Sequence, residues 1–379
     1  MVRVDDELSD SFGVTRGLRQ GCVIAPLLFN LFFSAVLTVA VQRFVCDDNV
    51  VRDLVKIKCR FDTDPRDYKK RNTKTKGLVR LLWSMLYADD AAVVSKTPES
   101  LAVMMQSIVS SCAQFGLMVS EQKTETMHLR VRDKNRSQMF IEAAGQQYVQ
   151  TDKFKYLGGI VQDDADITFE LRSRRQRAGF KLKRFCKEAF HPRTGISLKT
   201  KMSLLKSEVT EALLYGCETW TLNRNHFVLL RQFHHHSLLR CVGFQKKKGS
   251  DHVLAYHEVL ARTKCESIET MILRRRLTWA GKLVRMDNSR LPKAMLFGEL
   301  TDGKRRLGRP PKMWRQGLTE ALRDFDIDHR TWTEHAVKPK LWHSMIDVGA
   351  KSFMRKWHMS KSAEADARHA AAAVAAADT

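Results

Sequence analysis

The sequence lacks the cysteine spacing of a disulfide scaffold or a zinc finger. Its eight cysteines are scattered over 379 residues, and no two of them form a C-x-x-C pair. This spacing argues against a small disulfide-stapled fold and against a site built from paired cysteines. The residues Met1–Glu7 are acidic and contain no apolar stretch, so we expect no signal peptide. The prediction is an intracellular protein with reduced thiols, in the nucleus or cytoplasm and not secreted.

Acidic residues are few relative to basic ones. The chain has 42 Asp and Glu against 65 Lys and Arg, which gives a formal net charge of +23. An excess of this size predicts a polyanionic partner, nucleic acid before a membrane surface. The length is sufficient for two or three domains with a sizeable core.

Long apolar runs are also scarce, apart from residues 23–41, which are apolar enough to suggest a transmembrane helix. Pro26 lies near the start of this run, and Asn30, Ser34 and Thr38 recur every four residues as one polar stripe along a helix. We therefore predict a helix packed under a sheet, with one edge facing a groove and no membrane partner. A membrane span is the alternative.

A hairpin is predicted over Leu81–Ser95, where two apolar runs flank Ala88, Asp89 and Asp90. Because almost nothing in either run is polar, we expect both strands to be buried on both faces. Adjacent carboxylates at the end of buried strands need a positive charge, and oxygen ligands suit magnesium or manganese. An ordinary Ala-Asp-Asp turn is the alternative.

Four segments, in the same order as in the family, resemble motifs of reverse transcriptases: the nucleotide and template segment, the polymerase signature YADD, the motif after it and the primer grip. These segments are Arg19–Asn30, Tyr87–Asp90, Phe115–Thr124 and Phe154–Gly159. The sequence is most similar to polymerases of non-LTR retrotransposons (long interspersed elements). Their C-terminal extension resembles Leu214–Trp220 and Gly308–Lys312.

The resemblance implies an RNA-directed DNA polymerase, a nucleotidyltransferase that uses Mg²⁺ or Mn²⁺, dNTP as substrate, and an RNA template with a DNA primer or duplex. It implies that Asp89 and Asp90 hold metal and that Lys123 donates a proton to departing pyrophosphate; a plain surface lysine is the alternative. The residues implied to contact the nucleotide are Gln20, Gly21 and Tyr87. The residues implied to contact the primer are Tyr156, Leu157 and Gly158.

The predicted fold class is α+β, with a partial polymerase palm (a small antiparallel sheet with packed helices) followed by a mostly helical thumb and C-terminal region. A helix should begin at Thr97 and Pro98, and a strand over Thr124–Leu129 should lie beside the hairpin. The expected divisions are a palm remnant at 1–165, a helical thumb at 166–245, a basic helical region at 246–358 and an Ala-rich disordered tail at 359–379.

Basic residues are concentrated in three segments. Those of 172–187 cover more than one helix face, so we expect some to be solvated and others, namely Arg172, Arg175 and Lys183, to bind phosphate. The run 304–312 resembles arms that insert arginines into AT-rich minor grooves, which makes Arg306 and Arg309 candidates. A basic linker is the alternative there, and a solvated loop is the expectation for 69–76.

Three consecutive histidines, His234–His236, do not predict a zinc site. Consecutive helical residues point about 100° apart, so three in a row cannot converge on one ion. We expect no structural zinc, and we expect histidines on a helix face that stack on or face nucleic acid.

One expected carboxylate is absent. The family holds its metals with carboxylates from two strands, and the second aspartate should lie some tens of residues before Gln20, where the chain has only nineteen residues. Asp5, Asp6 and Asp10 are too close to Gln20. We therefore expect the C-terminal part of a retrotransposon polymerase, without fingers and inactive alone. A non-catalytic nucleic-acid-binding relic and a domesticated scaffold are the alternatives.

Overall fold

The computed structural model describes residues 3–4, 7–10, 17, 21–59, 78–129, 138–191, 194–244, 254–302 and 312–377. The strands are β1 Arg3–Val4, β2 Glu7–Leu8, β3 Val55–Cys59, β4 Leu78–Leu82, β5 Ser84–Tyr87, β6 Asp90–Val93, β7 Glu125–Thr126, β8 Ile141–Ala143, β9 Gln146–Gln150, β10 Lys153–Tyr156, β11 Gly159–Gln162 and β12 Gly298–Leu300.

The first helices are α1 Ala25–Phe44, α2 Asp48–Asp53 and α3 Pro98–Gln114. The remaining α-helices are α4 Thr168–Glu188, α5 Leu198–Leu204, α6 Glu211–Leu214, α7 Arg224–Cys241, α8 Tyr256–Thr263, α9 Ile268–Arg285, α10 Leu291–Phe297, α11 Trp314–Asp324, α12 Trp332–Ala336 and α13 Pro339–Ala377. A π-helical stretch, Leu205–Thr210, joins α5 to α6. Two 3₁₀ turns are Glu121–Lys123 and Cys217–Thr219.

The chain divides into two compact units. The N-terminal unit comprises residues 1–56, 81–128 and 135–151, and the helical unit comprises 57–80, 129–134 and 152–379. The division near residue 151 places β10 and β11 in the helical unit, whereas the sequence predicted a palm that continues to residue 165.

Helix α1 packs on α3 in the N-terminal unit, and β8 and β9 complete their core. The buried side chains there include Val36 and Ala40 of α1, Ile108 of α3 and Ile141 of β8. As predicted, α3 begins with the Thr97 side chain accepting the backbone N–H of Ser100. Glycine at position 116 follows the helix with φ +74°, a conformation that favours glycine at a helix end.

Strand pairing in the N-terminal unit differs from the prediction in one respect. β5 and β6 form a two-stranded antiparallel hairpin, but β7 does not join it and is shorter than predicted. Instead β7 pairs in parallel with β9, which also pairs antiparallel with β8. Tyr148 of β9 is buried beside Ile141, so the core fixes β9 and β8 together and leaves the other edge of β9 for β7.

Two hydrophobic clusters form the interior of the helical unit. The first is made by α4 to α9, and the second by α9 to α13. Trp332 and Trp342 are buried in the second cluster with ring centroids 5.9 Å apart. The indole N–H of Trp342 donates to the carbonyl of Leu277 at 2.9 Å. A Cβ built on Gly281 would lie 2.3 Å from that indole nitrogen, so only glycine allows this close approach.

Two further expectations concern long helices. The tail expected to be disordered is helical, since α13 continues to Ala377; alanine has the highest helix propensity and extends a helix already begun at Pro339.

By length and composition alone α1 could cross a membrane. The C-terminal half of α1 packs on α3 and contributes Val36 and Ala40 to the core of the N-terminal unit.

Candidate active site

The acidic pair lies at the tip of the β5–β6 hairpin, as predicted. Tyr87 pairs with Asp90, so Ala88 and Asp89 form a two-residue turn. Ala88 has φ +51°, which an L-residue adopts at a cost of roughly 1–2 kcal/mol. A non-glycine residue held in this conformation at the tip of an acidic hairpin marks a candidate functional turn.

The predicted burial of the hairpin is wrong. Tyr87 is 65% exposed and Leu86 is 45% exposed. Asp89 and Asp90 are both exposed as well. The reason is that β5 and β6 form a sheet of two strands, which contributes partly buried residues only at its base. The carboxylates therefore retain contact with water and need no neutralising charge within the fold.

A cavity of about 460 Å³ lies between α1 and this hairpin tip. From the hairpin it is lined by Leu86, Tyr87 and Ala88. From α1 it is lined by Pro26, Phe29, Asn30, Phe33, Ser34 and Leu37. Two members of the predicted polar stripe thus line the cavity beside the tip, in the volume range of small-ligand sites.

The acidic pair fits only part of a magnesium site. Asp89 and Asp90 offer adjacent carboxylate oxygens, the donor type that magnesium prefers. Across the described ranges, however, no group of three His, Cys, Asp or Glu side chains could hold a metal ion. These residues therefore do not form a complete two-metal site.

A second hairpin, β10–β11, carries the residues that resemble a primer grip. Its strands pair Tyr156 with Gly159, leaving Leu157 and Gly158 in the turn. Both turn residues have positive φ, +49° and +80°, which is the backbone of a type I′ turn. Leucine at the first of these positions is strained, so contacts elsewhere must hold the turn.

Those contacts are hydrogen bonds that side chains outside the turn donate to its backbone carbonyls. Arg174 donates to the carbonyl of Gly158 at 2.6 Å, and Arg177 donates to the same oxygen at 3.3 Å. The hydroxyl of Tyr215 donates to the carbonyl of Leu157 at 3.1 Å. The turn is therefore fixed by side chains of α4 and of the segment after α6.

Arg174 is itself held by an acid and an aromatic ring. Its guanidinium pairs with Glu170 at 2.5 Å, with both side chains 6% exposed, and stacks over the Tyr215 ring at 4.5 Å. The other Glu170 oxygen accepts the N–H of Ile160 at 3.0 Å. Because the pair is buried and both of its members bond to the hairpin backbone, it fixes the geometry of the hairpin.

The family model of reverse transcriptases (RNA-dependent DNA polymerases) matches residues 1–161. Residues 1–161 are therefore similar to a reverse transcriptase domain. An uncharacterized transposon-derived protein of Caenorhabditis elegans is 25% identical over 270 residues, which cover 70% of this chain and 96% of that protein. No solved structure matches the chain. The two matches support a reverse transcriptase-like retroelement protein.

Three further predicted residues lie within the matched residues 1–161. Lys123 ends an exposed 3₁₀ turn, where the side chain is accessible from water. Gly21 has φ +87° and precedes α1, so glycine is favoured at this entry to the helix. Gln20 lies outside the described residues.

Helix α4, which follows the matched residues 1–161, has basic residues on different faces. Arg172, Arg175 and Lys183 are exposed, as expected of residues that bind phosphate. Arg174 is buried against Glu170, and Lys181 pairs with Glu208. The remaining candidates, Arg306 and Arg309, and the run 69–76 lie outside the described residues.

The histidine prediction needs correction for one residue. His234 of α7 is buried, and its Nδ1 atom lies 2.7 Å from the hydroxyl oxygen of Tyr256. That oxygen accepts the N–H of Ile268, so its proton points to His234. Burial, then repulsion from His235, lowers the pKa of His234 to about 4. A neutral buried imidazole cannot face nucleic acid; only His236 of the three is exposed.

Sequence reasoning missed Arg174 and Tyr215 as residues that position the second hairpin. Arg174 was one of several arginines in a basic run, and nothing in its immediate sequence distinguishes it except Glu170 four residues earlier. Tyr215 belongs to the segment Leu214–Trp220, which resembled a family motif but suggested no contact. Arg174 lies 16 positions from Gly158, and Tyr215 lies 58 positions from Leu157, so neither contact is visible in the local sequence.

Proposed function

We propose that this chain is the C-terminal part of a non-LTR retrotransposon reverse transcriptase and binds an RNA template paired with a DNA primer. The observation that carries the proposal is the hairpin tip of a matched reverse transcriptase domain, with Asp89 and Asp90 beside a cavity lined by Tyr87 and the polar stripe of α1. A dNTP with its divalent ions has the size and charge for this position.

The proposed roles of the other predicted residues follow from their positions in the fold. Gly21 and Tyr87 would contact the nucleotide, and Lys123 would be the proton donor. The turn at Leu157 and Gly158 would contact the primer. The exposed basic face of α4 would bind phosphates of the duplex.

We further propose that the chain alone does not extend a primer. Two-metal nucleotidyl transfer requires ligands from more than one strand, and Asp89 and Asp90 are two adjacent carboxylates of a single hairpin tip. Electrostatic stabilisation is usually the largest part of catalysis, so loss of half the ligands removes most of the rate. A non-catalytic nucleic-acid-binding relic is the second candidate, favoured by the same incomplete ligand set, and a domesticated scaffold is a weaker one.

Primer extension tests the catalytic proposal. The isolated chain should incorporate no dNTP on an RNA template with a DNA primer, in magnesium or in manganese. Template-directed incorporation that disappears in Asp89→Ala would show that the chain is an active polymerase and would contradict this part of the proposal.

Duplex binding tests the nucleic-acid proposal and separates it from the scaffold. The variant Arg172→Ala/Arg175→Ala should weaken RNA–DNA duplex binding and reduce the slope of log K against log salt by about 1.8, for two phosphates. The matched variant Lys181→Ala/Arg184→Ala removes equal charge from residues paired with Glu208 and Glu188 and should change the slope little. Binding indifferent to salt would rule out the phosphate-contact role of α4.

A further inference from the structure

A groove in the helical unit lies between the C-terminal end of α8 and the middle of α13. Its volume is about 860 Å³. One wall contains Lys264, Cys265 and Glu266, which follow α8 directly. The other wall contains Lys351, Met354, Arg355, His358 and Met359 of α13. We refer to it as the α8–α13 groove; it shares no residue with either hairpin or with the basic face of α4.

The groove is lined by cations that the fold does not neutralise. Lys264, Lys351 and Arg355 are exposed, and in the described part of the chain none of them forms an ion pair. The one acid in the lining, Glu266, shares Arg274 with Asp347, so these three side chains together carry one negative charge, which is fewer than the three cations of the lining. Burial, then the charge of Glu266, raises the pKa of the Cys265 thiol to about 11, so this residue adds no negative charge at neutral pH. The result is a concave, positively charged surface.

The floor of the groove is apolar. Leu260 and Ala350 are buried beneath it, and Met354 is half-buried. The side chain of Met359 is exposed at one end. Methionine is flexible and polarizable, and it adapts to flat or irregular apolar partners. A ligand that fills the groove must therefore combine negative charges at the rim with apolar faces that reach the floor.

We propose that the α8–α13 groove binds single-stranded nucleic acid. The phosphates contact Lys264, Lys351 and Arg355, and one or more unstacked bases lie on the floor at Met354 and Met359. Lys351 and Arg355 are four residues apart, about 6 Å along the helix axis, so both face the strand from one side. A single strand offers its bases to the floor, whereas a duplex presents only its phosphate backbone and keeps its bases stacked inside.

Two features favour nucleic acid over an anionic membrane surface. The groove is concave and its apolar floor lies below the cationic rim, whereas a membrane would contact protruding residues first. The chain also carries a net charge of +23 and a reverse transcriptase domain. The inference goes beyond template–primer binding, because it assigns a separate ligand to residues that the proposed polymerase site does not use.

Lys264 provides an unusual probe because it occupies a left-handed backbone position, φ +51°, immediately after α8. Glycine is the residue that helices most often use there. Replacement of Lys264 by glycine therefore relieves backbone strain while it removes one cation from the rim. The expected variant is at least as stable as the original chain but binds single strands more weakly, a combination that damage to the fold cannot produce.

The test measures binding of the full chain to a labelled oligothymidylate of about 12 nucleotides by fluorescence anisotropy at several salt concentrations. The variant Lys351→Glu/Arg355→Glu should lower the affinity about tenfold or more and reduce the salt slope by about 1.4, for two contacts to a single strand. The matched control is Lys338→Glu/Lys340→Glu, which reverses the same charge on exposed lysines at the start of the same helix. The control should lower the affinity for oligothymidylate much less than the groove variant does.

Lys264→Gly should weaken binding about threefold with an unchanged or higher melting temperature. Bound oligonucleotide should also protect Lys264 and Lys351 from acetylation, while Lys338 and Lys340 remain reactive. These two measurements test single-strand binding in the groove even if the variant Lys351→Glu/Arg355→Glu fails to fold.

Three results would overturn the inference. Equal losses in the groove variant and its control would mean a non-specific charge effect. Unchanged single-strand binding with lost binding to phosphatidylserine vesicles would mean a membrane surface instead. Lysines that stay reactive under saturating oligonucleotide would place the strand elsewhere. Loss of duplex binding in Arg172→Ala/Arg175→Ala, with single-strand binding retained, would keep this site distinct from the proposed polymerase function.

Discussion

The two units of the chain differ in how completely they bury their apolar residues. The N-terminal unit exposes large apolar side chains on α1; Leu27 is 60% exposed and Leu31 is 62% exposed. The helical unit encloses two clusters in which Trp332, Trp342 and Leu230 are fully buried. Burial of apolar area is the main source of stability, so the helical unit is expected to be the more stable one.

This difference bears on the proposed function. Asp89, Asp90 and Tyr87 lie on a two-stranded hairpin of the less buried unit, and isolated two-stranded hairpins are only marginally stable. The primer-grip-like turn, in contrast, is fixed by a buried ion pair and an aromatic ring of the helical unit. One part of the candidate machinery is thus rigidly held, and the other is open to solvent.

The largest expected contrast is between a buried tryptophan and an exposed leucine. Trp342→Ala should lower the free energy of unfolding by about 3–5 kcal/mol, because it creates a cavity against Gly281 and removes the hydrogen bond to Leu277. Leu31→Ala should change it by less than about 0.5 kcal/mol. Urea denaturation followed by circular dichroism measures both changes. Equal losses of unfolding free energy in the two variants would contradict the expected difference in stability between the units.

Arg174→Ala tests how rigidly the second hairpin is held. It leaves Glu170 buried without its partner, which should cost about 3–5 kcal/mol of unfolding free energy and speed hydrogen exchange at Ile160. Arg184→Ala, on the same helix, breaks only an exposed pair with Glu188 and should cost at most about 1 kcal/mol. Slow exchange at Ile160 in Arg174→Ala would show that the turn does not depend on this arginine.

Acid should destabilise the helical unit through His234. The pKa of His234 is lowered by burial to about 4 in the folded chain, against an ordinary value of 6.5. Between these pH values the unfolded chain binds the proton and the folded chain does not, so stability is complete above about pH 6.5 and falls by about 3 kcal/mol toward pH 4. Urea midpoints across this range should show the loss, and His234→Gln should flatten it. A slope unchanged by that substitution would assign the acid sensitivity to other groups.

The smallest expected effect is at the hairpin tip of the N-terminal unit. Ala88→Gly should stabilise the hairpin by up to about 1 kcal/mol, since glycine adopts φ +51° without strain. The measurement is hydrogen exchange at Tyr87 and Asp90, with Ala91→Gly as the control within a strand, where glycine should destabilise. Faster exchange in Ala88→Gly would mean that the alanine side chain contributes contacts that outweigh its strain.

Local sequence determined the ends of several elements. Thr97 and Ser197 begin helices through their side chains, and Gly158 allows the turn of the second hairpin, because capping and positive φ depend only on neighbouring residues. The order of the four motifs likewise sufficed to indicate a reverse transcriptase domain. Burial of the first hairpin could not be predicted in this way, because apolar strands do not specify whether anything covers them.

The sequence by itself determined the first hairpin, the start of α3 and the basic character of this protein. Only tertiary packing decided that β7 joins β9, that Arg174 is buried while Arg172 stays exposed, and that Lys264 and Lys351 line the same groove. The physical reason is range: caps and turns are fixed within a few residues, whereas these juxtapositions depend on which apolar faces are buried together across the whole chain.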